Sequence, residues 1–246
     1  AVDIIYSTTN PFSAALTAYK INKKYGVPYV VDLRDPFLEN PYHIWSSLFH
    51  FKLMTYMESK VLKKAKKVIV TCPTYSEYLQ SKYPFLKENV EVIYNGFDGE
   101  VEDFSPMQKR EKVKVVYAGV LSDWDGKLNK RRDKWYSRPY SKAFFNMESR
   151  SLYTLIKGIA NSKDVDVLKN RLDIQIYGNG SIPITEKLIK KNNLGGIFSI
   201  NGNVSYKEVL NAQKEADYLL LILENPLLVE RNFFIAGKIF DFIKLK

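Results

Sequence analysis

The sequence predicts an α/β protein made of two doubly wound domains, and three observations carry that prediction. Short apolar, β-branched or aromatic segments alternate with stretches of helical periodicity along the whole chain. Several strand candidates, "VPYVV" and "DYLLLIL" among them, are apolar nearly throughout, the pattern of parallel strands covered on both faces. Near the middle, "VIYNGFD" runs three β-formers into Asn-Gly, and the polar "DGEVEDFSPMQKREK" follows before a second strand-and-helix series opens at "KVKVVYAGVLS". The expected division is a first domain over residues 1–98, a linker over 99–111 and a second domain over 112–246, with a cleft between the domains.

In chain order, "DIIYST" reads as a strand and "NPFSAALTAYKINKKYG" as a helix, with Ala15, Leu16, Tyr19 and Ile21 at helical spacing and Gly26 as its stop. "VPYVVDLRDPF" is a strand ending in the charged turn Asp32, Arg34, Asp35. A helix of about twenty residues is expected from near Trp45, its inner stripe formed by Leu48, Met54, Met57, Val61, Leu62 and Ala65. The strand "KVIVTCP" precedes Thr74 and Glu77, spaced as a capping box for the next helix. "VEVIYNGFD" closes the first half as a strand. In the second half the strands are "KVKVVYAGVLS", "LDIQIYGNG", "GIFSINGNV" and "DYLLLIL". Between them lie the helices "RSLYTLIKGIANS", "PITEKLIKKNN" with Pro183 at its start and Gly195 past its end, and "YKEVLNAQKEA" behind a capping box of Ser205 and Glu208. "GKIFDFIKLK" opens a last helix.

Composition narrows the function classes. At 246 residues with 46% hydrophobic content, the chain has ample material for buried cores. Its single cysteine, Cys72, excludes an internal disulfide, and no signal peptide or membrane-spanning apolar run is evident. A cytoplasmic setting is therefore expected. The net charge of +10 is localised: residues 1–105 hold 12 basic and 12 acidic side chains, and the rest 25 against 15. In "KLNKRRDKWYSRPYSK", residues 127–142, seven bases face one acid. Such a segment suits an anionic membrane surface, a phosphorylated substrate or nucleic acid, or is a solvated loop.

Taken in order, the turns resemble those of the retaining glycosyltransferases of family 4, also called glycosyl transferases group 1. The likeness runs from "VIYNGFD" through "VYAGVLS" to "IYGNGSIPITEKLIKKNNLGGIFSINGNVSYKEVLNAQKEADYLLLIL", and ends at "GKIFDF", which is similar to a Lys-x-Phe-Glu-Tyr segment in one branch of the family. The resemblance implies two facing Rossmann-like domains of the GT-B type, both incomplete here, so the chain is expected to be a piece of a longer protein. It also implies transfer of a sugar from a nucleotide-diphosphate sugar to a glycan or lipid-linked acceptor, with retention of configuration and no metal. No separate cofactor is expected. A role in bacterial surface polysaccharide synthesis, cytoplasmic or peripheral at the inner membrane face, goes with that reading; no nucleic-acid partner does.

Such a transfer needs fixed positive charge at the departing diphosphate, and backbone amides and cations at helix starts supply it. The resemblance places Lys238 on the diphosphate and Asp241, where the family has Glu, on the ribose hydroxyls. Lys238 is unfavourable for the helix dipole unless it meets an anion, which supports a ligand role. Gly119, Gly178 and Gly180 sit at strand-to-helix turns where a missing Cβ admits a phosphate, or where a tight turn needs glycine. Ser122 and Asn179 lie in the same turns. Asn201, Gly202 and Asn203 stand where the family packs the base. Arg34 and Asp35 stand where relatives place polar groups near the donor sugar, although both Asp32 and Asp35 are spaced to pair with Arg34 structurally. The catalytic candidates are thus Arg34, Asp35 and Lys238.

The chain departs from the family in three places. Val120 replaces an arginine, an insertion over 123–148 precedes the next helix, and eight residues before Asp241 stands Phe233 rather than a glutamate, leaving Glu230 as the stand-in. His43 and His50 read as surface or packing residues, and no His/Cys/Asp/Glu cluster has metal-ligand spacing. Two alternatives stay open: a nucleotide-sugar epimerase of the same architecture, and a non-catalytic anion- or nucleic-acid-binding module using residues 127–142.

Overall fold

The computed structural model describes residues 2–40, 43, 45–101, 110–121, 151–180, 182–223 and 233–245. They fall into two compact units, each built on a four-stranded parallel sheet.

The first unit orders its strands β1 (Ile5–Thr8), β2 (Tyr29–Leu33), β3 (Lys67–Val70) and β4 (Val90–Val92) in sequence across the sheet. Each parallel neighbour is reached through a helix: α1 (Ser13–Tyr25), α2 (Leu48–Lys64) and α3 (Pro73–Lys82). Gly26 ends α1 in the left-handed region at φ 73°, its N–H donating to the Asn22 carbonyl at 2.8 Å, a conformation open to glycine at little cost. Ser47 caps α2, and Trp45 ahead of it is a core residue rather than a helical one. The expected Thr74–Glu77 capping box does not form. Cys72 takes the cap position and Pro73 the first helical turn, where its fixed φ and missing N–H suit the helix start. Tyr29, Val31, Leu33, Leu62, Val68, Val70 and Leu79 form the centre of the core, joined by a stacked Phe12–Phe37 pair and a stacked His43–Trp45 pair, each with centroids 4.0 Å apart.

The second unit contains β5 (Val113–Ala118), β6 (Leu172–Tyr177), β7 (Phe198–Gly202) and β8 (Tyr218–Leu219), with helices α4 (Tyr153–Ala160), α5 (Val165–Arg171), α6 (Ile182–Lys191), α7 (Tyr206–Lys214) and α8 (Lys238–Lys244). Helix α5 is not marked by the sequence pattern. The strand order is β7-β6-β5-β8. The chain moves outward on one side of β5 and then returns to its other side, so the winding direction reverses between β5 and β8. The Ser205–Glu208 capping box forms in both directions, and the bonds it gives Glu208 lower that carboxyl's pKa. "DYLLLIL", expected as a long buried strand, pairs over only two residues, with Tyr218 59% exposed. Helix α6 stops at Lys191 and Asn193, at φ 56°, takes the left-handed position expected nearer Gly195. Leu152, Ile156, Ile174, Ile176, Leu194 and Ile197 fill the main core, and Val116, Ala212 and Ala216 form a small cluster under α7.

Candidate functional site

Where a doubly wound sheet reverses direction, the loops after its two central strands diverge and leave a crevice at their carboxyl ends. In the second unit that point is the turn following β5. Gly119 occupies it at φ 153°, and a Cβ built there would fall on the Lys238 ammonium and within 2.7 Å of Lys238 Cε. The same ammonium lies over the Tyr117 ring, 4.6 Å from its centroid, a cation–π contact that holds the charge beside the turn. Tyr117 in turn donates its hydroxyl to the Val120 carbonyl at 3.1 Å, and burial raises its pKa. Lys238, Gly119 and Tyr117 are therefore one cluster assembled from β5 and the first residue of α8. Asp241 is exposed one helical turn after Lys238.

The remaining glycines have a different job. A Cβ on Gly178 would strike the Gly119 carbonyl, with the Gly119 carbon at 2.8 Å, and one on Gly180 would strike the Leu121 carbonyl. The turns after β5, β6 and β7 are laced together through Gly119 N–H to Tyr177 O at 2.9 Å, Leu121 N–H to Asn179 O at 2.9 Å and Gly178 N–H to Gly202 O at 2.7 Å. Gly178 and Gly180 thus serve backbone-to-backbone approach, which fixes the position of Gly119. Asn179 takes part through its carbonyl while its side chain is exposed. Gly202 is in the left-handed region at φ 68°, and Asn201 and Asn203 beside it are exposed. Asn201 also borders a separate open groove lined by Lys114, Tyr177, Val204, Glu208 and Asn211, which does not include Gly119 or Lys238. Ser122, Glu230 and the basic segment 127–142 lie outside the described residues.

In the first unit, Arg34 is bound at both ends of its guanidinium. Its Nε donates to Asp32 Oδ2 at 2.8 Å and a terminal nitrogen donates to Asn95 Oδ1 at 2.9 Å. Asp32 is 1% exposed, accepts a further bond from the Tyr6 hydroxyl at 2.5 Å, and leaves Oδ1 buried with no partner. Of the two aspartates spaced to pair with Arg34, only Asp32 does so. Asp35 instead accepts from Asn10 Nδ2 at 3.1 Å. The Asn-Gly segment that reads as a mere strand stop thus supplies Asn95 as an anchor, and Tyr6 and Asn95 are participants that the sequence pattern does not single out.

Both histidines are accounted for by packing and capping: His43 stacks on Trp45 and His50 bonds the Ser47 cap through Nδ1 at 2.8 Å. Among the described residues no group of three or more His, Cys, Asp or Glu is placed to hold a metal.

Residues 1–101 match the family described as Glycosyltransferase Family 4. No curated protein sequence matches the chain. Among solved structures, HepE of Anabaena in complex with UDP is similar with a TM-score of 0.58 at 17% identity, over 88% of this chain and 52% of that one. The lipopolysaccharide outer core galactosyltransferase WaaB, in its apo form, gives 0.53 at 17% identity, over 89% and 50%. Sucrose-phosphate synthase of Thermosynechococcus elongatus gives 0.54 at 12% identity, over 88% and 49%. The chain spans about half the length of these structures. The first 101 residues thus resemble Glycosyltransferase Family 4, and the chain shares the GT-B fold of these solved structures.

Proposed function

We propose that this chain is part of a retaining glycosyltransferase, which moves a sugar from a nucleotide-diphosphate sugar to a glycan or lipid-linked acceptor. The observation that carries the reading is the Lys238 ammonium held against Gly119 at the reversal point of the second sheet. As the glycosidic bond to the donor breaks, negative charge grows on the diphosphate, and a fixed cation beside an open backbone turn stabilises it without reorganising. Gly119 leaves room for the Lys238 ammonium to reach the turn, Tyr117 and the laced turns keep Lys238 in place, and Asp241 accepts hydrogen bonds from the ribose hydroxyls. In this reading Asn201, Gly202 and Asn203 face the base.

The family resemblance assigns Arg34 and Asp35 to the donor sugar, and within the first unit Arg34 is oriented by Asp32 and Asn95. No side chain is assigned as a nucleophile; the acceptor attacks on the face from which the diphosphate departs. Charge neutralisation falls to Lys238, so the reaction proceeds without a metal or other cofactor. That HepE is in complex with UDP makes UDP the first nucleotide to test. The basic segment 127–142 suits an anionic surface or acceptor phosphate, in keeping with surface polysaccharide synthesis at the inner membrane face.

The test is to incubate the protein with UDP-, GDP-, ADP- and CMP-linked sugars, with and without EDTA, and follow the donor anomeric signal by NMR. Turnover of one nucleotide series, unaffected by EDTA and giving product of unchanged anomeric configuration, is expected. Inverted product, or turnover abolished by EDTA, would overturn the corresponding part of the proposal.

A further inference from the structure

Along β6 the sequence alternates: Ile174 and Ile176 are buried, whereas Asp173, Gln175 and Tyr177 point to the other face of the sheet. Strand β7 alternates in step with it, with Ser199 and Asn201 exposed on either side of Ile200 and Ser199 paired opposite Gln175. Strands covered on both faces are apolar throughout, so this face is polar by sequence. Helix α7 covers only part of it. The helix buries one residue, Ala212, which joins Val116 of β5 and Ala216 just past the helix end. These small side chains seat α7 over β5 and leave a groove of about 380 Å³ beside it, within the range of small-molecule sites. The groove extends from Lys114 near the start of β5 to Tyr177 at the end of β6. Because Tyr177 is paired with Ala118, four strand residues separate those ends, about 13 Å.

The lining suits hydroxyl groups. Tyr177 donates its hydroxyl to Gln175 Oε1 at 3.0 Å and Gln175 donates to Asp173 Oδ2 at 2.8 Å, which holds the tyrosine ring lengthwise along the strand. From α7 come the exposed Glu208 and Asn211 and, at its end, Glu215. Lys114 donates to Glu215 Oε2 at 3.0 Å, and that bond lowers the Glu215 pKa and keeps the carboxylate ionised. An amide both donates and accepts, and a carboxylate accepts two hydroxyls, a set that matches the neighbouring hydroxyls of a sugar ring. The tyrosine ring adds a flat apolar surface for the C–H face of the same ring. Other occupants fit less well. Nucleotide phosphates would face Glu208 and Glu215, while the one lining cation is already paired. An apolar ligand would strand the amide and the carboxylates, since Val204 and Ala212 are the only aliphatic residues in the lining.

We propose that this groove binds the neutral, hydroxyl-bearing rings of a short glycan, at a site separate from Gly119 and Lys238. A glycan held there would be concentrated on the same unit as the donor site; that use rests on the transferase reading above, whereas the binding itself does not. Saturation-transfer NMR of the full chain with maltose, cellobiose, lactose and N,N′-diacetylchitobiose, each alone, tests it. At least one disaccharide is expected to give a saturable signal that excess UDP leaves unchanged. Asn211→Ala/Glu215→Ala changes two exposed positions and should keep the wild-type melting temperature, yet bind that disaccharide at least about fivefold more weakly. Tyr177→Phe, which keeps the ring, should bind more tightly than Tyr177→Ala. The proposal is overturned if none of the disaccharides binds the folded protein, if the double variant binds as the wild type does, or if UDP displaces the disaccharide. UDP binding is measured separately through Lys238, so a groove that takes no glycan leaves the donor-site reading standing.

Discussion

Lys82→Met tests how the first unit tolerates buried charge. The Lys82 ammonium lies between Glu39 Oε1 at 2.8 Å and Glu58 Oε2 at 2.9 Å, with those two side chains 4% and 0% exposed. Tyr83 donates to the same Glu58 oxygen at 2.7 Å, and Tyr78 donates to Glu39 at 2.7 Å. Burial pushes the Glu58 pKa up to about 7, against the pull of Lys82, with Glu39 adding to the rise. The Lys82 pKa is also raised: burial alone would lower it, but the two carboxylates outweigh that effect.

Removing the ammonium strands two carboxylates, and breaking a buried pair from one side costs about 3–5 kcal/mol. The chain limits that loss by taking up a proton on Glu58. Between its unfolded pKa of 4.5 and its folded value near 7, the native state holds a proton that the unfolded state has lost. Stability conferred by that group is therefore greatest below the unfolded value and falls as pH rises through the window, by at most about 1.4 kcal/mol per unit. In Lys82→Met the folded pKa climbs further and the window extends upward. Urea unfolding followed by circular dichroism should show a loss of about 3 kcal/mol near pH 8, shrinking to about 1 kcal/mol near pH 5.5, where chiefly hydrogen bonds are lost. A loss that stays below about 1 kcal/mol at both pH values, or does not change between them, would refute the reasoning.

Three further outcomes are expected. Glu58→Gln should flatten the fall in stability between pH 5 and 7 in the same unfolding assay, because the group that titrates there is gone. Gly119→Ala should weaken nucleotide-diphosphate binding at least about tenfold by calorimetry, since its Cβ displaces the Lys238 ammonium; the strained φ of 153° adds about 1–3 kcal/mol of destabilisation. Arg34→Ala should cost about 2 kcal/mol in urea unfolding, less than a fully buried pair because Arg34 is 37% exposed, and should lower kcat in the transfer assay more than it raises KM.

Patterns confined to a few neighbouring residues were readable in the sequence. Ser205 and Glu208 spell a capping box that forms, and Gly26 and the order of strands and helices were equally legible. Thr74 and Glu77 have the same spacing but fail, because Pro73 between strand and helix moves the cap back to Cys72. The six-residue apolar run at β8 pairs over two residues, since apolar content reports burial against neighbours as readily as a ladder. At the candidate site, Gly119 and Lys238 were identifiable singly, but their contact joins residues more than a hundred positions apart and no local pattern encodes it. The Arg34–Asn95 bond and the Lys82 cluster are invisible for the same reason, whereas the roles of Gly178 and Gly180 emerge only once Gly119 and Leu121 are seen against them.

The central claim is that Lys238 and the Gly119 turn receive the diphosphate of a nucleotide sugar. Calorimetric titration of wild type and Lys238→Ala with UDP tests it most directly, with GDP, ADP and CMP titrated in parallel to identify the base. Loss of one charge-assisted contact of about 1.5–3 kcal/mol predicts that one nucleotide binds saturably and that the variant binds it about 10- to 100-fold more weakly. Equal binding by wild type and variant, or a folded protein that binds none of the four, would contradict it.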